Sequence, residues 1–190
     1  MAAYSLIELV FVLGVAATLA STGVAQLNAT MDAIRAGSAA RHVMARLQQA
    51  RARAIARNRA TAVRITLDGR GYALGVFEDG NGNGVTAADI RSGTDAQVGP
   101  IERIPEQFPG VDFGALPGLP GADGGVAPGA NPVRVGAGSG ITFTPLGTAT
   151  PGSLYVLGSR QLQFVVRVYG ETGRTRMLTW NPRTRAWIAR

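Results

Sequence analysis

The stretch Tyr4-Ser5-Leu6-Ile7-Glu8-Leu9-Val10-Phe11-Val12-Leu13 decides how this chain is built, because it sets one carboxylate at the start of a long apolar segment. No charged residue follows between Leu9 and Met31. That length is about the 20 residues that an α-helix needs to cross a bilayer. The pattern therefore predicts a membrane-spanning helix over residues 4–31, with Glu8 near its beginning.

Glu8 is a candidate functional residue, because a carboxylate near hydrocarbon costs several kcal/mol unless it finds a partner. The residues alone leave several interpretations of the segment open. A cleaved secretory signal fits poorly, since no positive residue precedes the apolar run and Glu8 interrupts it. A plain membrane anchor, in which Glu8 lies at the interface, remains as an alternative.

The run from Tyr4 to Val10 also resembles the class III prepilin signal, in which an aromatic residue opens the mature chain and Glu stands fifth. The resemblance implies that a prepilin peptidase removes residues 1–3 by cutting between Ala3 and Tyr4, and then methylates the Tyr4 amine. Glu8 would pair with the N-terminal amine of a neighbouring subunit. Such a pair favours one stagger of packed helices over the others. The family usually has Gly and Phe where this chain has Ala3 and Tyr4.

The helical pattern continues past the apolar run. Small and apolar residues recur at steps of three and four, namely Ala40, Val43, Met44, Leu47, Ala50 and Ala54. They predict an amphipathic half-helix over residues 32–60 that ends near Asn58 and packs its Ala-rich stripe on a sheet. The whole helix of about 55 residues would extend roughly 80 Å, a length that favours a polymer spine over a free enzyme.

From Thr61 the apolar period changes to two, which is typical of strands. A hairpin is predicted over residues 63–77, with its turn at Asp68-Gly69-Arg70-Gly71. Further strands are predicted at residues 141–144, 161–169, 174–180 and 185–190, whereas residues 110–140 are rich in Gly and Pro and predict an irregular loop. The fold class is therefore α+β, with a long N-terminal helix on an antiparallel β-domain of residues 61–190.

Three segments of the β-domain, residues 76–84, 141–147 and 172–176, resemble the GspH/FimT family of minor pseudopilins and minor type IV pilins. The resemblance covers nearly the whole chain and implies a type IV pilin-like fold with two small sheets. It implies a single-pass protein of the bacterial inner membrane whose β-domain lies in the periplasm. The expected partners are the membrane, prepilin peptidase, and other pilins or pseudopilins in the filament of a type II secretion system or type IV pilus.

A basic set lies near the C-terminus, comprising Arg174, Arg176, Arg183, Arg185 and Arg190. Residues two apart on a strand share a face, so Arg174 and Arg176 should point the same way, and the turn at Asn181-Pro182 is expected to bring Arg183 and Arg185 alongside. In DNA-uptake members of the family, a Gly-Arg-x-Arg motif is implicated in DNA binding. In this chain the motif is Gly173-Arg174-Thr175-Arg176. The resemblance thus implies, as the alternative function, a minor pilin that binds double-stranded DNA in natural transformation. A solvated hairpin, or one docked on an acidic neighbour, is the structural alternative.

Charge is distributed in blocks. All 19 basic residues are Arg. Residues 33–64 contain eight of them and no acidic residue. Residues 65–123 have a net charge of −6, and residues 124–190 have a net charge of +7. Such blocks neutralise each other either within the fold or along an assembly.

The segment Asp79-Gly80-Asn81-Gly82-Asn83-Gly84, followed by Asp89, resembles a calcium loop, with oxygen ligands at alternate positions and Gly at the sixth. The twelfth position is Ile90 instead of Glu, and Asn-Gly and Asp-Gly pairs also form ordinary tight turns. Asp79, Asn81, Asn83 and Asp89 are therefore candidate calcium ligands, with a plain turn as the alternative, and no other cofactor is expected.

Catalysis has little support in the sequence. The chain has no Cys, and its one histidine, His42, lies on an Arg-bearing face of the predicted helix. No nucleophile, base and carboxylate set can be assembled, so an enzyme is not expected.

Overall fold

A computed structural model describes residues 5–136 and 140–190. It confirms the α+β fold class, because one long N-terminal helix packs on two antiparallel sheets. The predicted cleavage site at Ala3 and Tyr4 lies outside the described residues. Within the part of the chain that the structure describes, no helix has both the length and the apolar character of a membrane span.

Helix α1 spans Leu6–Arg57, and its 52 residues extend about 78 Å. The hydroxyl of Ser5 accepts a hydrogen bond from the Ile7 N–H at 3.3 Å, which caps the first turn. Asn58 ends the helix in the left-handed region, with φ 52°, and its N–H bonds back to the Ala54 carbonyl. Asn tolerates this backbone geometry better than most residues, so the helix ends at the predicted position.

Among the side chains of α1 that the structure describes, only those of the second half are buried. Its fully buried residues recur at helical spacing on one face: Ala36, Ala39, Ala40, Val43, Leu47 and Ala54. The small side chains allow close approach to the sheet, since a Cβ added at Gly158 would lie 2.6 Å from the Cβ of Ala36. The large apolar side chains from Leu6 to Leu19 are exposed.

The β-domain contains ten strands and two short helices among the described residues: β1 (Thr61–Asp68), β2 (Gly71–Glu78), α2 (Ala87–Ser92), β3 (Ala96–Gln97), α3 (Ile104–Gln107), β4 (Asp112–Phe113), β5 (Val133–Val135), β6 (Gly140–Phe143), β7 (Gly152–Gly158), β8 (Leu162–Val168), β9 (Thr175–Asn181) and β10 (Ala186–Ala189). The first sheet has the order β3-β2-β1-β6. The second has the order β10-β9-β8-β7-β4, and β5 also pairs with β7. The hairpin β1–β2 and strands β6, β8, β9 and β10 confirm the predicted elements.

Strand β7, in the middle of the second sheet, is not predicted by the sequence pattern. Six of its seven residues are buried, because both faces of the sheet are covered. A strand buried on both faces lacks the apolar–polar alternation that identifies a one-sided strand. Helix α1 covers one face, and on the other Ala122 packs with Tyr155, Val165 and Leu178.

The described part of the predicted loop, residues 110–136, is irregular as predicted, although β4, β5 and a short 3-10 turn at Ala122–Gly124 interrupt it. Part of this segment is firmly attached to the second sheet. Ala122 is fully buried, and the Trp187 indole N–H donates a hydrogen bond to the Pro120 carbonyl at 3.1 Å. This attachment brings the residues from Asp123 onward next to arginines of the second sheet.

Candidate functional site

Glu8 lies in the first turn of α1, where its side chain is exposed. Among the described residues, no cation forms an ion pair with it. The first ion pair between α1 and the β-domain joins Asp32 to Arg160, with 3.0 Å between Oδ2 and Nε. That pair lies about 36 Å along the helix from Glu8. No residue of the described β-domain therefore pairs with Glu8 within this chain.

The basic block of α1 is partly neutralised within the fold by the acidic middle segment. Glu102 accepts from both Arg46, at 2.9 Å, and His42, at 2.7 Å, while Arg53 pairs with Glu78 at 2.6 Å. Glu78 ends β2, and the backbone of Glu102 bridges to Leu74 of the same strand. These ion pairs join α1 to the first sheet, which supports neutralisation within the fold for this block.

The predicted calcium loop is held by two buried carboxylates, those of Asp79 and Asp95. The Asp79 oxygens accept the backbone N–H groups of Asn81, Gly82 and Gly84 at 2.7–3.1 Å. The Asp95 oxygens accept those of Gly80 and Thr86 at 3.1 and 2.8 Å. Asp95 is absent from the predicted ligand set, because it follows the loop in sequence and returns to it only through the fold.

The remaining predicted ligands bond to each other. The Asn83 amide and the Thr86 hydroxyl both donate to Asp89 Oδ2, at 3.1 and 2.8 Å, and these bonds lower the pKa of Asp89, with Thr86 contributing most. Across residues 5–136 and 140–190, no three His, Cys, Asp or Glu side chains are grouped to hold a metal. The hydrogen bonds are those of a self-supporting turn, and calcium binding stays a prediction.

Arg174 and Arg176 line one open cleft, with a volume of about 880 Å³, together with Pro151, Tyr169 and Glu171. Both arginines are exposed. Arg174 also lines a second cleft of about 610 Å³, formed with α1 residues from Gln48 to Ala56. The Arg174 side chain therefore stands between two concave surfaces.

Gly173 has a structural role that explains why the motif contains glycine. Its φ is +59°, and a Cβ there would lie 2.2 Å from the carbonyl oxygen of Gly147 and 2.9 Å from Nε of Arg51. Arg51 itself donates from Nε to that Gly147 carbonyl at 3.0 Å. Gly173 thus allows the loop that carries Arg174 to pack tightly against α1 and the β6–β7 loop.

Arg176 has an acidic partner, Asp123, whose Oδ2 lies 3.6 Å from Arg176 Nη1. The hydroxyl of Tyr169 donates to the same carboxylate oxygen. Burial raises the pKa of Tyr169, and the hydrogen bond to Asp123 adds to that increase, whereas Arg176 acts in the opposite direction. Among the described residues, the second basic block is therefore neutralised at only two arginines, Arg176 by Asp123 and Arg160 by Asp32.

The structure separates Arg183 and Arg185 from the rest of the predicted set. They lie in the turn after β9, whereas Arg174 precedes it, so the seven-residue strand keeps them about 20 Å apart. Strand β10 runs back along β9 and ends at Ala189, and the N–H of the next residue, Arg190, donates to the Met177 carbonyl at 3.1 Å. Arg190, not Arg183 or Arg185, is the C-terminal arginine nearest the motif.

A set of cationic residues that the sequence does not reveal crosses the outer face of the second sheet. The registers pair Arg134 of β5 with Ser153 of β7, Ser153 with Arg167 of β8, and Arg167 with Arg176 of β9. Directly paired residues point to the same face. These residues are far apart in the sequence, and β7, which joins them, has no alternating pattern.

A long helix, whose large apolar side chains from Leu6 to Leu19 are exposed, packs on a β-domain of two antiparallel sheets. The family described as Type II transport protein GspH matches residues 39–173, which is more than half of the chain. The chain therefore belongs to the GspH family.

One similar solved structure is that of the minor pseudopilin EpsH from the Type 2 Secretion System of Vibrio cholerae. It is 17% identical, and the match covers 76% of this chain and 97% of that chain with a TM-score of 0.48. No curated protein matches the sequence.

Proposed function

We propose that this chain is a minor pseudopilin or pilin subunit that assembles into the periplasmic filament of a type II secretion system or type IV pilus. Prepilin peptidase removes residues 1–3 and methylates the Tyr4 amine. Residues 4–31 anchor the chain in the bacterial inner membrane before assembly, and the β-domain projects into the periplasm. The partners are other pilins or pseudopilins of the same filament.

The observation that supports this proposal best is the exposed apolar half of α1. Leu6 is 83% exposed and Phe11 is 71% exposed, whereas burial against the β-domain begins only around Ala36. Apolar surface of this extent marks a membrane or protein interaction site. A bilayer would cover it in the free subunit, and the helices of neighbouring subunits would cover it in the filament.

Glu8 sets the stagger between subunits in this proposal. Its own β-domain begins about 36 Å along the helix, so no cation of that domain reaches it. The N-terminal amine of a neighbouring subunit supplies the positive charge. Because an unpaired carboxylate in an apolar bundle is costly, the stagger that pairs Glu8 with the amine is favoured over the others.

Deletion of the gene tests this proposal, with export of type II substrates by the host bacterium as the measurement. Export should fail and should return when the full chain is supplied. Unchanged export with loss of pilus-dependent functions would assign the subunit to a type IV pilus. If both remain normal, the chain is not a required filament subunit and the proposal fails.

DNA binding for natural transformation is a second candidate function, favoured by the exposure of Arg174. Within the described residues Arg174 forms no ion pair, and it shares a cleft of about 880 Å³ with Arg176. An exposed guanidinium beside a second one suits contacts to a phosphate backbone, which depend little on base sequence. Arg183 and Arg185 would contact DNA only as a separate group, about 20 Å away along β9.

We expect the double substitution Arg174→Gln/Arg176→Gln to weaken duplex DNA binding by the full chain in non-ionic detergent. Losing two phosphate contacts should lower the slope of log affinity against log salt by about 2. Gel shifts over a series of salt concentrations measure both effects. The matched control is Arg70→Gln/Arg91→Gln, which removes the same charge from exposed positions on the first sheet's side of the domain.

If both double variants lose the same affinity for DNA, then net charge, and not this cleft, determines the binding. Undiminished binding by Arg174→Gln/Arg176→Gln would exclude the assigned residues. No binding by the unsubstituted chain at low salt would exclude the DNA function altogether.

A further inference from the structure

The outer face of the second sheet has a cleft beside Arg134 and Arg167. It has a volume of about 380 Å³, and its lining includes Gly124–Val126, Arg134, Ser153 and Arg167. Ser153 stands between the two arginines on the central strand β7, and the cross-strand registers place all three side chains on one face. The backbones of Arg134 and Arg167 are two strand spacings apart, which is about 10 Å.

Arg167 is held in place but lacks a counter-charge. Its Nη1 donates to the Ser153 hydroxyl oxygen at 2.8 Å, and Ser153 is 1% exposed. Its Nε is buried and has no hydrogen-bond partner among the described residues. A Cβ at Gly125 would lie 2.3 Å from Nη1, so the glycine backbone packs directly against the guanidinium. The orientation of Arg167 is thus fixed by neutral groups alone.

No acidic residue balances the two cations. Arg134 forms no ion pair in the described part of the chain, and the nearby Asp123 already contacts Arg176 and Tyr169. Residues 1–4 and 137–139, which are not described, contain no Asp or Glu. A partly buried cation without a counter-ion is unfavourable, and a second cation on the same face adds repulsion. An anion bound between the arginines removes both penalties.

We propose that this cleft is a phosphate-binding site, in which Arg134 and Arg167 donate to different oxygens of one phosphate group. Arginine presents a planar fork of N–H donors that matches phosphate and carboxylate oxygens. A carboxylate has two oxygens in one plane and suits a single fork, whereas a tetrahedral phosphate offers oxygens to both sides of the cleft. The volume leaves room for whatever the phosphate is attached to.

The phosphate group comes either from free phosphate or from a polynucleotide backbone, and the chemistry is the same for both. The site does not involve Glu8 or the apolar half of α1, so this proposal is independent of the proposal that the chain assembles into a filament. It adjoins the cleft of Arg174 and Arg176, because Arg167 pairs with Arg176 across the sheet and Pro151 lines both clefts, but its own two arginines are on strands β5 and β8.

The test is a titration of the full chain in non-ionic detergent with inorganic phosphate, with a short DNA duplex and with acetate. Calorimetry gives the affinity, and the NMR signal of the Arg167 Nε–H reports directly on the site. We expect Arg134→Gln and Arg167→Gln each to weaken phosphate binding by about tenfold or more, as loss of a charged hydrogen bond does. Arg91→Gln removes an exposed arginine elsewhere and should leave the affinity unchanged.

Arg134→Gln keeps the test valid if Arg167→Gln fails to fold, because Arg134 lies on a three-residue strand at the sheet edge. Binding of duplex alone, lost in the same variants, would identify a polynucleotide as the source of the phosphate. Acetate binding as tight as phosphate binding would overturn the proposal. The proposal would also be overturned if neither inorganic phosphate nor the duplex binds, or if the Arg134 and Arg167 variants bind as tightly as the unsubstituted chain.

Discussion

Replacing Glu8 with Gln should prevent this subunit from entering the filament while leaving its β-domain folded. The substitution keeps the shape of the side chain and removes the charge that pairs with a neighbour's amine. Breaking a buried ion pair costs about 3–5 kcal/mol, which lowers the equilibrium for adding a subunit by more than about a hundredfold. Export measures the consequence, and cross-linking to neighbouring pilin subunits measures assembly itself.

Asp32→Asn is the matched control for this experiment, because it neutralises another acid of α1. Asp32 pairs with Arg160, whose side chain is 55% exposed, and pairs of this kind contribute at most about 1 kcal/mol. Asp32→Asn should therefore assemble normally. If Glu8→Gln assembles and supports export as well as Asp32→Asn does, Glu8 has no role in register.

Gly173→Ala should destabilise the β-domain by about 2–4 kcal/mol, the largest effect we expect from a single methyl group in the basic motif. Part of the loss comes from the left-handed backbone at φ +59°, which disfavours any Cβ. The rest comes from the carbonyl oxygen of Gly147, 2.2 Å from the added atom, because backbone yields less readily than a side-chain tip. Chemical denaturation of the full chain in detergent measures the difference.

The substitution Gly129→Ala separates the cost of the left-handed backbone from the cost of the contact with Gly147. Gly129 has nearly the same φ, +57°, but no atom lies within 4 Å of an added Cβ. It should lose only the conformational part, about 1–2 kcal/mol. Equal losses at both positions would mean that the contact of Gly173 with Gly147 and Arg51 does not contribute, and that glycine is needed there for its backbone alone.

Much of the architecture follows from changes of period along the chain. The three- and four-residue steps from Ala40 to Ala54 predict the buried face of α1, and alternation predicts β8 with its partners. Strand β7 is not predicted by alternation. It is buried on both faces, so apolar and polar residues do not alternate along it. The short pairings β3 and β4, of two residues each, are set by tertiary contacts and have no period to detect.

The functional surfaces were less predictable than the fold. Arg174 and Arg176 line one cleft, and their spacing brings them together because the two are neighbours in sequence. The position of Arg190 beside β9 depends on the register of the last hairpin, and the contact of Asp123 with Arg176 depends on how residues 115–122 pack. Arg134 and Arg167 become neighbours only across β7, so no sequence motif joins them.

The role of this chain as a filament subunit is tested by export from a strain that lacks it. The strain is complemented with the unsubstituted chain or with its Glu8→Gln variant. Equal amounts of each chain in the membrane fraction must be verified first. We expect the unsubstituted chain to restore export of type II substrates and the variant not to restore it. Normal export without any copy of the chain, together with normal pilus-dependent functions, would contradict its assignment as a filament subunit.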